Sequence, residues 1–344
     1  MNKEYFITGG AGFIGSNFVN RLLERNEKVT IYDNLSRAGA PMNIRWLREK
    51  RGGDSFKLIE GDVRDADLVT HSMQAAGVVV HLAAQVAVTS SVVKPREDFE
   101  INAQGTFNVL EGARINGKDP VFIFASTNKV YGEMENVAVV EEATHWRYDN
   151  LPNGCSEDQP LDFHSPYGCS KGAGDQYVRD YARIYGLRSV VCRQSCIYGP
   201  RQFGVEDQGW AAWMVIAAIT GRPLSIYGDG KQVRDILHVE DLLDAYDAII
   251  DRIDQVKGQV FNLGGGPGNM ISIWKEFGPM LEKHLGKPIP VAWADWRPGD
   301  QKVFVADIRK AQKELGWQPR ISAAAGVEKL YRWVKENEGL FREK

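Results

Sequence analysis

Tyr5-Phe6-Ile7-Thr8-Gly9-Gly10-Ala11-Gly12-Phe13-Ile14-Gly15 is the stretch that decides the fold. Its first four residues read as a short strand, and Phe13 opens a helical pattern that runs to Arg25. Between them the glycines at 9, 12 and 15 have G-x-x-G-x-x-G spacing, a variant of the dinucleotide-binding fingerprint. Glycine is needed here because a Cβ would block the tight turn. It would also hold a pyrophosphate away from the backbone N–H groups at the helix N-terminus. The loop therefore nominates Gly9, Gly12, Phe13, Ile14 and Gly15 as cofactor contacts. Asp33 ends the second strand pattern, 18 residues after Gly15, where a carboxylate can accept from both adenosine ribose hydroxyls. An acid there repels a 2′-phosphate, so NAD is favoured over NADP, while Arg37 keeps the phosphorylated form open. Asp62 and Val63, after the third strand, are placed to flank an adenine.

Working outward, short apolar runs at 29–32, 56–59, 78–82, 121–125 and 189–193 alternate with helical patterns at 65–75, 99–116 and 168–185. Strands separated by helices predict a parallel sheet covered on both faces. The expectation is an α/β protein, a Rossmann-type doubly wound parallel sheet with a smaller α/β substrate-binding domain. The first domain should span 1–192 and 236–263, and the second 193–235 and 264–344. With 42 Lys+Arg against 45 Asp+Glu, the net charge of −3 gives no basic footprint for nucleic acid or a membrane surface. The apolar run 210–219 is half of the ~20 residues that span a bilayer. Cys155, Cys169, Cys192 and Cys196 form no C-x-x-C pair, no leader precedes the first strand, and a cytoplasmic protein with reduced thiols is expected. No His/Cys/Asp cluster has metal-ligand spacing.

Tyr167-Gly168-Cys169-Ser170-Lys171 follows Pro166, a good helix-start residue. The i,i+4 spacing puts phenol and ammonium on one helix face. An ammonium there should lower the Tyr167 pKa from ~10 toward working pH, making it a general acid/base. A hydroxyl partner stands at Ser126-Thr127, where the strand from Val121 ends, and the C-terminal ends of parallel strands are where such sheets bind ligands.

Gly9–Gly15, Asp33, His81-Leu82-Ala83-Ala84, Asn102, Ser126-Thr127 with Val130-Tyr131-Gly132, Tyr167-x-x-x-Lys171 and Tyr198-Gly199-Pro200 together resemble an extended short-chain dehydrogenase/reductase. Within that group the likeness is to nucleotide-sugar epimerases and dehydratases. The resemblance implies that Thr127 hydrogen-bonds the sugar hydroxyl being oxidised and that Tyr167 removes its proton. Lys171 then also binds the nicotinamide ribose, and NAD is the hydride acceptor. It further implies cofactor contacts at Asn34, Ser36, Leu82, Ala83, Ala84, Gln85, Asn102 and Cys196. Val86 and Asn128 would face substrate. Cys196 departs from the epimerase pattern, in which an Asn is common.

The 4,6-dehydratases of this group carry Thr-Asp-Glu at the strand end, the two acids expelling water from the sugar. Asn128 and Lys129 occupy those places, so 4,6-dehydration is disfavoured. Asp33-Asn34-Leu35-Ser36-Arg37, the run from Leu161 to Lys171, Arg201-Gln202-Phe203 and Asp207-Gln208-Gly209-Trp210 resemble the CDP-paratose 2-epimerase family. That likeness implies inversion at C2 of a CDP-linked dideoxyhexose through a 2-keto sugar, since an unactivated C–H is not acidic enough for simple deprotonation. A UDP-hexose 4-epimerase is the alternative. Arg234 and Arg297 match segments whose arginines hold a diphosphate, a task suited to the guanidinium fork. Gln202, Gln208 and Trp210 are candidate sugar or base contacts. The long polar stretch 133–164 is either a lid or a surface insertion. The resemblance implies a homodimer or homotetramer paired through the helices near 99–116 and 168–185.

Overall fold

The computed structural model describes residues 3–297 and 300–342, and the chain divides into two compact units. The first runs to Val130 and adds Phe163–Arg193 and Leu243–Phe261. The second holds Tyr131–Asp162, Gln194–Leu242 and the chain from Asn262 onward.

The first unit is built on β1 (Glu4–Thr8), β2 (Lys28–Asp33), β3 (Lys57–Glu60), β4 (Val78–His81), β5 (Val121–Thr127) and β6 (Arg188–Gln194), with β7 (Val260–Leu263) at one edge. Across the sheet the order is β7-β6-β5-β4-β1-β2-β3. Neighbours run parallel: Tyr5 lies opposite Val29 on one side and Val78 on the other, and Val78 opposite Val121. This is the doubly wound Rossmann order, with the topological switch between β1 and β4. Val78, Val79, Val80 and His81 are all buried, as expected for a strand covered on both faces. Phe6, Tyr32, Val79, Phe122 and Phe124 meet Val109, Leu110 and Val178 from the helices in one core. Each such side chain contributes about 1.5–3 kcal/mol by leaving water.

Two features depart from the sequence pattern. A helix at Ala40–Arg51 escaped it, because the segment is rich in Arg and Lys and buries only one narrow side. The expected single helix 99–116 is instead helix Pro95–Phe99, a π turn at Glu100–Gln104 and helix Gly105–Ile115. In the altered turn the Asn102 carbonyl accepts from Thr106 Oγ1 at 2.6 Å, which supplies side-chain hydrogen bonding where the α ladder is interrupted.

In the second unit Val233–His238 pairs parallel with Cys196–Tyr198 and Val303–Phe304, and antiparallel with Met270–Ser272. Its core gathers the apolar helix Trp210–Thr220 with Ile236, Leu281, Leu330 and Val334. The expected boundaries shift here, since 131–162 and 236–242 belong to this unit. Hydrogen bonds explain the first change: Tyr148 Oη donates to the Val303 carbonyl at 3.1 Å, and Cys155 N to the Val305 carbonyl at 2.7 Å. The second follows from the pairing of Ile236, Leu237 and His238 with Cys196, Ile197 and Tyr198. The 133–164 stretch carries a hairpin, Val139–Glu141 with Trp146–Tyr148. It is pinned by Trp146 Nε1 donating to Asp229 Oδ2 at 2.8 Å. Among the described residues no helix is long and apolar enough to cross a membrane.

Candidate active site

Parallel strands bring their C-terminal ends to one edge of the sheet. That edge therefore collects the segments after Thr8, Asp33, Glu60, His81 and Thr127. Gly9 has φ +68°, and a Cβ on it would stand 2.7 Å from the Ala83 amide nitrogen. On Gly15 a Cβ would lie 2.4 Å from the Gly9 carbonyl oxygen, so the loop closes onto the helix only with glycine. Gly12 caps helix Phe13–Glu24 without a side-chain hydrogen bond, and the first turn carries no acid. Its leading N–H groups, on Phe13, Ile14 and Gly15, are thus left for an external anion.

Asp33 accepts from Ala11 N at 3.0 Å and Leu35 N at 2.8 Å. Burial pushes its carboxyl above the usual range against these two bonds. Asp62 is held well below that range by Arg64, whose Nε and Nη2 donate at 2.9 and 2.8 Å, and Asn34 Nδ2 joins at 2.9 Å. Ser36 N donates to Asn34 Oδ1, and Ser36 and Arg37 are exposed beyond β2, while Val63 is buried. His81 is structural. Thr106 Oγ1 is occupied as a donor, so His81 Nε2–H donates to it at 2.9 Å and Nδ1 accepts from Thr8 Oγ1 at 2.7 Å. Burial lowers this ring to about 3, keeping it neutral. Thr8 Oγ1 in turn accepts from the amides of Leu82 and Ala83, fixing the start of the 82–86 segment.

Asn102 does not project from this edge. Its Oδ1 accepts from Gln85 N at 2.9 Å, and its Nδ2 reaches Gln85 O at 3.0 Å, Asp98 Oδ1 at 3.1 Å and Ser170 Oγ at 3.2 Å. It is a brace for the 84–86 backbone. The π turn is what presents this amide sideways.

Thr127 ends β5, and Tyr167 and Lys171 stand one turn apart in helix Ser165–Tyr185. Tyr167 is 8 % exposed and Lys171 4 %. Burial raises the Tyr167 phenol to about 12, opposed by a hydrogen bond with Thr127. The expected lowering by Lys171 is not found. Burial drives Lys171 down to about 7. Its ammonium sits 4.2 Å above the Phe124 ring. Behind the pair, Arg193 Nε and Nη2 grip both Asp175 oxygens at 2.9 and 3.0 Å, and Ser126 Oγ donates to the same carboxylate at 2.8 Å. Asp175 and Asp98 both favour the charged form of Lys171. The sequence reading missed this group. The i,i+4 step from Lys171 to Asp175 was legible on the helix, whereas Asp98, on the short helix Pro95–Phe99, meets Ser170 only in the folded chain.

The remaining expected residues lie in the second unit. Cys196 packs against the core of that unit on strand Cys196–Tyr198. Arg234 is buried, with Nη1 donating to the Val233 and Gln301 carbonyls and Nη2 to Asp300 Oδ1 at 2.8 Å. The guanidinium of Arg297 lies 3.8 Å over the Tyr227 ring, with Nη2 3.3 Å from Asp207 Oδ1. Pro298 and Gly299, of the same expected segment, lie outside the described residues. Gln202 Oε1 and Trp210 Nε1 are buried and, among the described residues, have no hydrogen-bond partner. Gln208 exchanges backbone hydrogen bonds with Val205.

The GDP-mannose 4,6 dehydratase family model matches residues 6–330, nearly the whole chain. The chain belongs to this family. CDP-paratose 2-epimerase of Salmonella typhi is 42 % identical over 338 residues, covering 96 % of this chain and 99 % of that protein. The fold matches UDP-glucose 4-epimerase of Thermotoga maritima, solved with UDP-glucose, at TM-score 0.82 and 28 % identity, over 97 % of this chain and 99 % of that one. It also matches UDP-glucose 4-epimerase of Thermus thermophilus, solved with NAD, at TM-score 0.78 and 29 % identity, over 96 % and 98 % of the two chains. The family's name includes dehydration, yet Asn128 and Lys129 follow Thr127 in this chain.

Proposed function

We propose that this chain is an NAD-dependent nucleotide-sugar epimerase that inverts C2 of a CDP-linked 3,6-dideoxyhexose, as CDP-paratose to CDP-tyvelose. The observation that carries the reading is the make-up of the strand end. The Thr127 hydroxyl there acts on the Tyr167 phenol, Lys171 follows one helical turn on, and no carboxylic acid follows Thr127. Such a site can take and return a hydroxyl proton but lacks an acid/base pair for expelling water. The 42 % likeness to the Salmonella enzyme supports the choice of C2 and of CDP.

The residues present fit NAD. Only glycine fits at 9 and 15, the helix from Phe13 opens without a capping side chain, and Asp33 offers a carboxylate at the end of β2. Gly9, Gly12, Phe13, Ile14 and Gly15 would hold the pyrophosphate, with Asp33, Asn34, Ser36 and Arg37 near the ribose and Asp62 and Val63 near the adenine. Leu82, Ala83, Ala84 and Gln85 would border the cofactor, and Asn102 would set their backbone. Bound NAD would supply a hydride acceptor that becomes the donor for the return step. The C2–H bond has no adjacent carbonyl to stabilise a carbanion, so this redox route is the chemically accessible one.

In that reaction Thr127 orients the C2 hydroxyl and Tyr167 takes its proton. Burial pushes the phenol of the chain alone up to about 12, which disfavours the phenolate at neutral pH. In the chain alone the Thr127 hydroxyl is the group that opposes this rise, and Lys171, one turn along the helix, is proposed to act on the phenolate with substrate and NAD in place. Arg297, with Arg234, would meet the diphosphate; Gln202 through Oε1 and Trp210 through Nε1, both without a partner among the described residues, would meet the sugar or base, as would Gln208.

A second reading, redox at C4 of a UDP-hexose, is favoured by the likeness to the Thermotoga 4-epimerase. Incubation with CDP-, UDP-, GDP- and dTDP-hexoses, with product stereochemistry read by NMR, separates the two. A C2 epimer from the CDP-dideoxy sugar is expected, and a C4 epimer from UDP-glucose alone would overturn it. The proposal includes self-association. Val93, Phe99, Phe107, Ile115, Tyr177 and Ile184 are exposed on the helices of the first unit, an apolar face suited to a second copy.

A further inference from the structure

Two carboxylates favour the charged form of Lys171, and they are not equivalent. Asp175 is matched by Arg193 in a bidentate pair. Asp98 is 1 % exposed and, among the described residues, has no cation within ion-pairing distance. Its oxygens are met only by neutral donors: Ser170 Oγ at 2.5 Å on Oδ2, and Asn102 Nδ2 at 3.1 Å on Oδ1. Burial raises this carboxyl above the usual range, opposed by the Ser170 hydrogen bond, Lys171 and the Asn102 hydrogen bond, and once ionised its field is not diminished by a paired cation. Ser170 lies in the turn between Tyr167 and Lys171, and Asn102 clamps the 84–86 backbone through Gln85. One carboxylate therefore ties the proton-transfer helix to the loop after β4.

We propose that Asp98 is a positioning residue for the reaction. Its carboxylate locks Ser170 and Asn102 together and, when ionised, places a second negative charge next to the Lys171 turn. Asp175 favours the Lys171 ammonium more than Asp98 does, and Asp98 comes next. On the Lys171 helix stand Tyr167, a neutral phenol, and Asp175, already paired. From the sheet come neutral His81, the Phe124 ring and Arg193, which is spent on Asp175. The helix Val88–Val93 packs against the same helix and carries no ionisable side chain. On the helix Gly105–Ile115, Glu111 and Arg114 pair with each other, and Glu111 with Tyr181. At the π turn, Glu100 faces Arg64 and Arg96 at about 4 Å.

This inference rests on the proposed role of Lys171, and its test does not depend on turnover. The Lys171 ammonium is titrated by NMR in the full-length protein carrying [ε-13C]lysine, with the signal assigned by its loss in Lys171→Met. Asp98→Asn preserves shape and an acceptor for Ser170 while removing the charge. The Lys171 midpoint is expected to fall by about one unit or more. The same coupling is read from the other end in Lys171→Met, where Asp98, followed by 13Cγ, should titrate higher by a similar amount; this arm stands if the Asn variant fails to fold. Midpoints unmoved within about 0.3 unit in the arm that folds would overturn the proposal. Wild-type protein that converts no nucleotide sugar would refute the proposed function alone and leave this coupling intact.

Discussion

Arg193→Met tests the packing behind the active site. The pair it breaks has side-chain exposures of 2 % for Arg193 and 0 % for Asp175, so solvent screening does not soften the loss. Two charge-assisted bonds at 2.9 and 3.0 Å disappear, and among the described residues the Asp175 carboxylate keeps the Ser126 hydroxyl and the Gln176 amide. Removing one partner of such a pair costs about 3–5 kcal/mol, most of it the buried charge left behind. Replacing both, in Asp175→Leu with Arg193→Met, removes that charge. It leaves Ser126 without its acceptor, at about 1–3 kcal/mol. Urea unfolding followed by fluorescence and circular dichroism should therefore rank wild type first, the double variant second and Arg193→Met last. A loss below about 1 kcal/mol in Arg193→Met, or a double variant weaker than the single, would refute the reasoning.

Three further outcomes are expected. Lys171 falls from its ordinary 10.5 to about 7 in the folded chain, so between those values the unfolded state binds more protons. Stability should rise with pH across that window by up to about 1.4 kcal/mol per unit, and Lys171→Met should flatten the slope in urea titrations at pH 7 to 10. Gly9→Ala places a methyl 2.7 Å from the Ala83 nitrogen at a φ of +68°. Isothermal titration should show NAD binding weakened at least tenfold, and unchanged affinity would contradict the loop assignment. Phe99→Asp combined with Ile184→Asp puts two charges on the exposed apolar face. Light scattering should then report a monomer, and an unchanged mass would show that assembly uses another surface.

The sheet was legible because its signals are local. Val78–His81 and Val121–Thr127 are uninterrupted buried runs, and the glycines at 9, 12 and 15 carry a backbone requirement that no other residue meets. Thr127, Tyr167 and Lys171 were legible for a similar reason, as a strand end and one helical turn fix them. What escaped depends on contacts distant in sequence. Asp98, on the short helix Pro95–Phe99, reaches Ser170 across 72 positions, and no pattern within its own segment announces the contact. The pull expected of Lys171 on Tyr167 failed because spacing carries no information about desolvation, which dominates both groups. The placement of 131–162 rests on bonds to Val303 and Val305, some 150 residues away, which no pattern within the segment announces.

The central claim is hydride removal and return at one carbon, and deuterium at C2 of CDP-paratose tests it most directly. The account predicts CDP-tyvelose that retains the label at C2 when the reaction is run in ordinary water. Label lost to solvent would show a proton route at that carbon and contradict the account.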